Sequence, residues 1–238
     1  MKPEEITALY DRDYAAAYER EFLLAPLVRS DTDAEVALLR KLLTPDTTWL
    51  DVACGTGYFL RQFPNIERTG LDLSPAMLER AREGNDGVPL IQRDFREPFA
   101  EWNDRWSVVS CMWYAYGLVD TIEDIGKLIQ NLWAWTAPSG TCFVPLADPR
   151  LITGTNLPYQ APTHNAGKVM ITGIVWSYIE NDGAKVHAHM LAPNIEFMVE
   201  QFESFFDKVE LVRYPPAFPG WAGRPAILAS GKRAQPTT

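Results

Sequence analysis

Residues 51–57, Asp-Val-Ala-Cys-Gly-Thr-Gly, place a carboxylate and two glycines directly after an apolar run. Because glycine has no side chain, the backbone at Gly55 and Gly57 can approach a ligand closely. A strand followed by a glycine-rich turn and a helix forms a ligand crevice at the carboxyl edge of a parallel sheet. The stretch therefore predicts a small-ligand site, with Asp51 at the end of the strand.

Two common phosphate-binding motifs fit this stretch poorly. A dinucleotide site of the form G-x-G-x-x-G needs a third glycine where the chain has Leu60. An inward-pointing Asp51 would also repel a pyrophosphate. A P-loop would need Gly-Lys-Ser/Thr, and no such sequence follows. An acid at the strand end instead suits a ligand that carries a positive group.

The elements that must position these residues alternate between strand and helix. The first five predicted strands span 47–53, 66–72, 88–93, 106–113 and 140–147. The predicted helices span 4–20, 32–43, a segment from about 57, 75–83, 122–136 and 195–207. Such alternation indicates βαβ units and a parallel sheet. After Pro149 the pattern changes. We predict an antiparallel hairpin whose strands, 168–180 and 184–192, flank Asn181-Asp182-Gly183. A final antiparallel pair of strands is predicted at 207–214 and 224–231.

Residues 51–57 resemble motif I of the class I S-adenosylmethionine-dependent methyltransferases. Further features of that family follow in order: Asp72, Asp94-Phe95 after the third strand, Cys-Met-Trp at 111–113 and Ala-Pro-Ser-Gly at 137–140. The resemblance implies an α/β, Rossmann-like class I methyltransferase fold. Its seven-stranded, mostly parallel sheet is expected in the order 3-2-1-4-5-7-6, with helices on both faces and an antiparallel hairpin insert as a substrate lid.

The resemblance also assigns a cofactor, S-adenosyl-L-methionine, and residues to hold it. Asp72 would take both ribose hydroxyls, Asp94 and Phe95 the adenine, and Met112 and Trp113 the methionine portion. The N-terminal segment resembles the family's lid helix, whose tyrosines close over the cofactor. The predicted cofactor-binding residues are Tyr14, Tyr18, Asp51, Ala53, Cys54, Gly55, Gly57, Asp72, Leu73, Met77, Asp94, Phe95, Met112 and Trp113. Structural alternatives stay open: Asp72 could cap the helix at Ser74-Pro75, and the tyrosines could be core contacts.

The candidate catalytic residues fall in two places. The segment at 110–120 resembles the same segment of bacterial deoxyaminosugar N-methyltransferases, but Gly117-Leu118 replaces their Gly-His pair. A histidine base is therefore absent there, and Tyr114 and Tyr116 become the candidates. His187 and His189 alternate along a predicted strand and should share one face; His164 is a further candidate. We expect no metal, because no third ligand has suitable spacing.

Composition limits the partners. A net charge of −9 over 238 residues argues against a broad basic surface for nucleic acid and against docking on anionic lipid. The sequence has no long apolar run and does not start like a signal peptide. Its three cysteines lie in apolar segments, as buried free thiols do. These features predict a cytoplasmic protein. We expect a small-molecule methyl acceptor, with a homodimer left open.

We expect one methyltransferase domain over 1–238. Its predicted parts are an N-terminal helical lid at 1–45, a cofactor-binding core at 46–148, a substrate-lid insert at 149–194, and the last helix and final strand pair at 195–238. The predicted function is methyl transfer from S-adenosylmethionine to N or O of a small molecule by in-line displacement. A non-catalytic cofactor-binding or scaffold protein and a nicotinamide-dependent oxidoreductase are the alternatives.

Overall fold

A seven-stranded sheet forms the centre of the computed structural model, which describes residues 1–163, 166–180, 183, 185–216, 219–220 and 222–234. The strands of this sheet are β1 (Thr48–Val52), β2 (Glu67–Asp72), β3 (Leu90–Gln92), β4 (Trp106–Cys111), β5 (Thr136–Pro145), β10 (Phe206–Arg213) and β11 (Pro225–Lys232). The spatial order is β3-β2-β1-β4-β5-β11-β10, which confirms the predicted order 3-2-1-4-5-7-6. Strands β1 to β5 pair in parallel, whereas β11 is antiparallel to both of its neighbours.

Eight α-helices accompany the strands in the described chain. They are α1 (Pro3–Leu9), α2 (Arg12–Tyr18), α3 (Arg29–Leu42), α4 (Tyr58–Arg61), α5 (Pro75–Arg82), α6 (Ile122–Trp135), α7 (Pro149–Thr153) and α8 (Ile195–Glu203). Helix α6 shows why the sequence predicted the helices: Thr121 caps it, and its apolar side chains recur at helical spacing on one buried face. None of the described helices has the length and apolar character needed to cross a membrane.

The core lies on both faces of the parallel strands. Leu50 and Val52 of β1 are fully buried, and Val109 and Cys111 of β4 are buried beside them. Helix α6 covers this region with Leu128 and its neighbours. Because both faces of the strands are covered, their sequences are near-continuous apolar runs.

The N-terminal helices differ from the prediction. A single helix over 4–20 was expected, but the chain breaks at Tyr10–Asp11, where the Asp11 side chain accepts a hydrogen bond from the Tyr14 amide and starts α2. Helix α3 begins at Arg29, earlier than the predicted start at residue 32, so Asp31 lies in its first turn. Asp31 instead forms an ion pair with Arg224.

Two small antiparallel sheets complete the fold. Strands β8 (Gly173–Glu180) and β9 (Lys185–Pro193) form the predicted hairpin, although Asn181 and Asp182 of its turn lie outside the described residues. The beginning of the predicted strand over 168–180 is separate: β7 (Lys168–Met170) pairs with β6 (Gln160–Pro162) instead.

Candidate active site

A cavity with about 670 Å³ of empty space opens at the carboxyl ends of β1, β2 and β4. Parallel α/β sheets bind ligands at this edge because strand ends, turns and helix starts meet there. The lining residues are Ile6, Tyr10, Tyr18, Ala53, Gly55, Asp72, Leu73, Met77, Asp94, Phe95, Arg96, Met112, Trp113, Ala115, Leu118 and Val119. We call this space the main cavity.

Most of the predicted cofactor residues line the main cavity, and four do not. Asp51 and Cys54 line a smaller adjoining cavity of about 280 Å³, which shares Tyr18 and Gly55 with the main one. Gly57 lines neither; its left-handed backbone (φ 68°) precedes α4, and a side chain there would meet Asn85. Its glycine is therefore explained by packing against Asn85.

Asp72, at the end of β2, is held in place by backbone amides. Its Oδ2 accepts a hydrogen bond from the Gly55 amide, and its Oδ1 accepts one from the Ser74 amide, both at 2.8 Å. Burial raises the pKa of Asp72, while these amides favour its ionised form. Each carboxylate oxygen keeps a further lone pair for a ligand. The carboxylate can therefore accept two adjacent hydroxyl groups.

Asp51 is almost fully buried at the end of β1. Its Oδ1 accepts a hydrogen bond from the Ser110 hydroxyl at 2.7 Å, and Ser110 in turn accepts one from the Trp49 indole at 2.9 Å. Its Oδ2 has no hydrogen-bond partner in the described chain. Burial raises the pKa of Asp51 to about 7. A cationic donor beside the free oxygen would satisfy it and favour its ionised form.

The third predicted acid already has a partner in the chain. Both oxygens of Asp94 contact the guanidinium of Arg96, at 2.5–3.0 Å. Phe95 beside it presents an apolar ring to the main cavity. Arg96 itself lines the cavity and was not among the predicted residues, because its position two residues after Asp94 matches no motif.

The three N-terminal tyrosines separate into two groups. Tyr10 and Tyr18 line the main cavity, and their hydroxyl groups form no hydrogen bond within the described chain. Burial raises the pKa of both phenols. Tyr14 points elsewhere, and its hydroxyl donates to Glu180 at 2.9 Å. Tyr10 lies at the end of α1, directly before the break at Asp11.

The wall formed by the chain after β4 is apolar. Its members are Met112, Trp113, Ala115, Leu118 and Val119. None of these side chains can take up a proton at neutral pH. Leu118, at the position where the sequence offered no histidine base, is part of this lining.

The two tyrosine candidates for catalysis lie outside the main cavity. Tyr116 is 1% exposed, and its hydroxyl accepts a hydrogen bond from the Ala147 amide at 2.7 Å, which ties the turn after β4 to the chain after β5. Tyr114 lines a separate surface cavity of about 550 Å³. We call this space the outer cavity.

The two histidine candidates do not share one environment, contrary to the alternation of the sequence. A β-bulge opposite Ser177 inserts an extra residue into β9, and His189 takes a left-handed conformation (φ 57°). His187 is consequently buried against Glu180 and Tyr14, whereas His189 is exposed. Neither lines the main cavity. His164 lies outside the described residues.

The main cavity and its smaller neighbour together fit S-adenosylmethionine. Asp72 offers acceptors for a pair of ribose hydroxyls, and the orphaned Asp51 oxygen offers one for an ammonium group. An ideal side-chain carbon at Gly55 would meet nothing within 4 Å, so the space above this backbone is open for a ligand. Phe95 supplies an apolar ring at the opposite end for a planar base.

Comparisons with known proteins agree with this geometry. Residues 50–140 match the family model described as a methyltransferase domain. The dTDP-3-amino-3,6-dideoxy-alpha-D-glucopyranose N,N-dimethyltransferase of Streptomyces fradiae is 29% identical over 92% of this chain and 89% of its own length. A trans-aconitate 2-methyltransferase of Paracidovorax citrulli is 26% identical over 66% of this chain and 57% of its own length.

A similar fold occurs in a solved structure, that of the glycopeptide N-methyltransferase MtfA complexed with S-adenosyl-L-homocysteine. The two structures superpose with a TM-score of 0.63, covering 83% of this chain and 88% of the other, at 16% sequence identity. At this identity the likeness concerns the fold.

Proposed function

We propose that this chain, which belongs to the class I S-adenosylmethionine-dependent methyltransferases, transfers the methyl group to an amine nitrogen of a small molecule. When bound, the cofactor supplies an electrophilic methyl group on a sulfonium, ready for in-line displacement. The protein's task is to bind both partners, align them and exclude water. The assignment to nitrogen goes beyond the family and rests on the wall after β4.

Each end of the cofactor would be held by residues of the main cavity or its neighbour. Asp72 would accept hydrogen bonds from the ribose hydroxyls, and Asp51 would face the ammonium of the methionine portion. Asp94 and Phe95 would lie at the adenine, and this role requires Asp94 to accept a further bond while it is paired with Arg96. Met112 and Trp113 would border the sulfonium. Tyr10 and Tyr18 would cover the ligand from the N-terminal side.

The observation that supports nitrogen as the acceptor is the apolar wall from Met112 to Val119, with Leu118 in it. A neutral amine is already nucleophilic and needs no base, whereas a hydroxyl group benefits from one. Apolar surroundings also lower the pKa of a bound amine and so favour its reactive, neutral form. The apolar wall therefore suits an amine acceptor, whereas an alcohol acceptor would benefit from a base that the wall does not contain.

A carboxylate acceptor, as in the name of the trans-aconitate enzyme, is the second candidate, because a carboxylate also needs no base. An anion in this cavity would require a free cationic partner. Arg96 is the cationic side chain that lines the described cavity, and Asp94 already pairs with it. This ion pair makes a carboxylate the weaker candidate.

The experiment is a turnover assay with S-adenosylmethionine and a paired panel of acceptors. The panel contains amino sugars, including dTDP-linked ones because of the Streptomyces relative, their matched hydroxy sugars, aromatic and aliphatic amines, and trans-aconitate. Mass spectrometry would detect the methylated product, and S-adenosylhomocysteine would be quantified in parallel. We expect N-methylation of at least one amine and no reaction of its hydroxy counterpart. A methyl ester or ether as the main product would contradict the assignment to nitrogen.

Several finer properties remain predictions. They are the single-domain organisation over 1–238, the role of 149–194 as a substrate lid, and action in the cytoplasm without nucleic-acid or membrane partners. Size-exclusion chromatography with light scattering would show whether the chain forms a homodimer, which the sequence leaves open.

A further inference from the structure

The turn after β4 has an unusual backbone. Trp113 and Tyr114 are consecutive, bulky and non-glycine, yet both have left-handed dihedrals, with φ of 51° and 58°. Such residues are outliers in this region because the side chain crowds the following carbonyl group. Two of them in sequence persist only where the surrounding structure fixes them, and such strain concentrates at functional sites.

The same turn separates the two cavities. Trp113 and Ala115 line the main cavity, whereas Tyr114 lines the outer cavity together with Trp176 and Arg224. The side chains of these two neighbouring residues therefore lie on opposite sides of one wall. A relaxed turn would move Trp113, and the wall of the main cavity would move with it.

Arg224 contacts both rings of the turn. Its guanidinium carbon lies 5.1 Å from the centroid of Trp113 and 5.2 Å from that of Tyr114. Both distances are within the range of cation–π attraction. A planar guanidinium can lie against aromatic faces while its edge donates hydrogen bonds, which the compact ammonium of lysine cannot do.

Two buried acids face Arg224 from α3. Asp31 Oδ2 lies 2.8 Å from Arg224 Nε. Glu35 is fully buried, and its Oε1 accepts a hydrogen bond from the Tyr214 hydroxyl at 3.4 Å. Burial raises the pKa of Glu35 to about 8, so at neutral pH this carboxyl is mostly protonated and Asp31 supplies the balancing charge. The ion pair with Asp31 holds the Nε edge of the guanidinium group whose carbon lies beside both rings.

We propose that Arg224 is a positioning residue that, anchored by Asp31, holds Trp113 and Tyr114 in their left-handed conformation and so sets the wall of the main cavity. This inference rests on the proposed function, because that wall borders the proposed cofactor site. The three segments involved are far apart in sequence, and no motif links them. Arg224 does not line the main cavity itself and acts through Trp113.

Calorimetric titration with S-adenosylhomocysteine tests this role without requiring the acceptor. We expect Arg224→Met to weaken binding about tenfold or more, and Arg224→Lys to recover only a small part of the loss. Asp31→Asn should weaken binding by an intermediate factor. The matched control is Arg233→Met, which removes another partly buried arginine, one paired with Asp207, and should change affinity less than twofold.

A double-variant cycle separates positioning from a general loss of stability. If Arg224 acts through Trp113, then Arg224→Met should have little further effect on affinity in a Trp113→Ala background. Melting temperatures measured without ligand identify any variant that fails to fold, and Arg224→Lys and Asp31→Asn then carry the test. Wild-type affinity in both Arg224 variants, or fully additive losses in the cycle, would overturn the inference. If the wild-type chain does not bind S-adenosylhomocysteine, the proposed function itself fails.

Discussion

Tyr14 and Glu180 form a buried hydrogen bond that joins the N-terminal helices to the β8–β9 hairpin. The Tyr14 hydroxyl lies 2.9 Å from Glu180 Oε1, across 166 residues of sequence, and both side chains are less than 10% exposed. His187 from β9 bonds to the same Glu180 oxygen and lies 3.0 Å from the Tyr14 hydroxyl. The N-terminal segment, which supplies Tyr10 and Tyr18 to the main cavity, is thus tied to the hairpin by one polar cluster.

Replacing Tyr14 with Phe should destabilise the protein by about 1–3 kcal/mol, because a buried carboxylate loses a hydrogen-bond donor. Urea unfolding would measure the loss. Tyr178→Phe is the control: its ring also contacts His187, but the residue is 43% exposed and its hydroxyl forms no hydrogen bond in the described chain. Equal stability of the two variants would mean that the cluster contributes little.

Replacing Asp72 with Ala should weaken S-adenosylhomocysteine binding by about 1–3 kcal/mol, or roughly 5- to 150-fold, because two charge-assisted hydrogen bonds to the ribose would be lost. Calorimetry would measure the affinity. Asp72→Asn, which keeps the size and one acceptor oxygen, should lose less, and Asp86→Ala at an exposed position should lose nothing. Unchanged affinity in Asp72→Ala would remove this residue from the proposed site.

Tyr116→Phe should lower stability by about 1–3 kcal/mol without changing the chemical step, because the buried Ala147 amide would lose its acceptor. Thermal unfolding and single-turnover methylation would be compared with those of the wild-type protein. A variant of normal stability but much slower single turnover would instead restore Tyr116 as a catalytic candidate.

The pH dependence of stability should contain a clear contribution from Glu35. Burial raises its pKa from 4.5 to about 8 on folding, so between these pH values the folded state holds a proton that the unfolded chain has released. Stability attributable to this group is therefore greatest below pH 4.5 and falls by up to ~1.4 kcal/mol per pH unit as the pH rises towards 8.

Glu35→Gln removes this titration, so its free energy of unfolding should fall less than that of the wild-type protein between pH 5 and 8. Asp51, whose pKa burial raises to about 7, titrates in the same window in both proteins and cancels in the comparison. Glu67→Gln, at an exposed position, should follow the wild-type curve. Parallel curves for Glu35→Gln and the wild type would show that Glu35 is ionised in the fold at neutral pH.

Local patterns predicted most of the framework. The central strands β1 and β4 are buried on both faces, so continuous apolar runs identified them, and turn chemistry placed Asp51, Gly55 and Asp72 at one edge. These features depend on residues close in sequence, and a resemblance to a known family fixed their order. The predictions were wrong where a single residue interrupted the helical or strand periodicity. Asp11 starts a new helix and so divides the predicted first helix, and the β-bulge at His189 places this residue in a different environment from His187.

The sequence by itself determined the class of fold and the ligand-binding edge of the sheet, because strand period, glycine turns and strand-end acids are local properties. The tertiary structure alone decided which side chains meet across that edge. Tyr14 turns to Glu180, Tyr116 supports the Ala147 amide, and Arg224 reaches the rings of Trp113 and Tyr114. Each of these contacts joins segments separated by at least 31 residues, and their energies depend on burial, which no local pattern encodes.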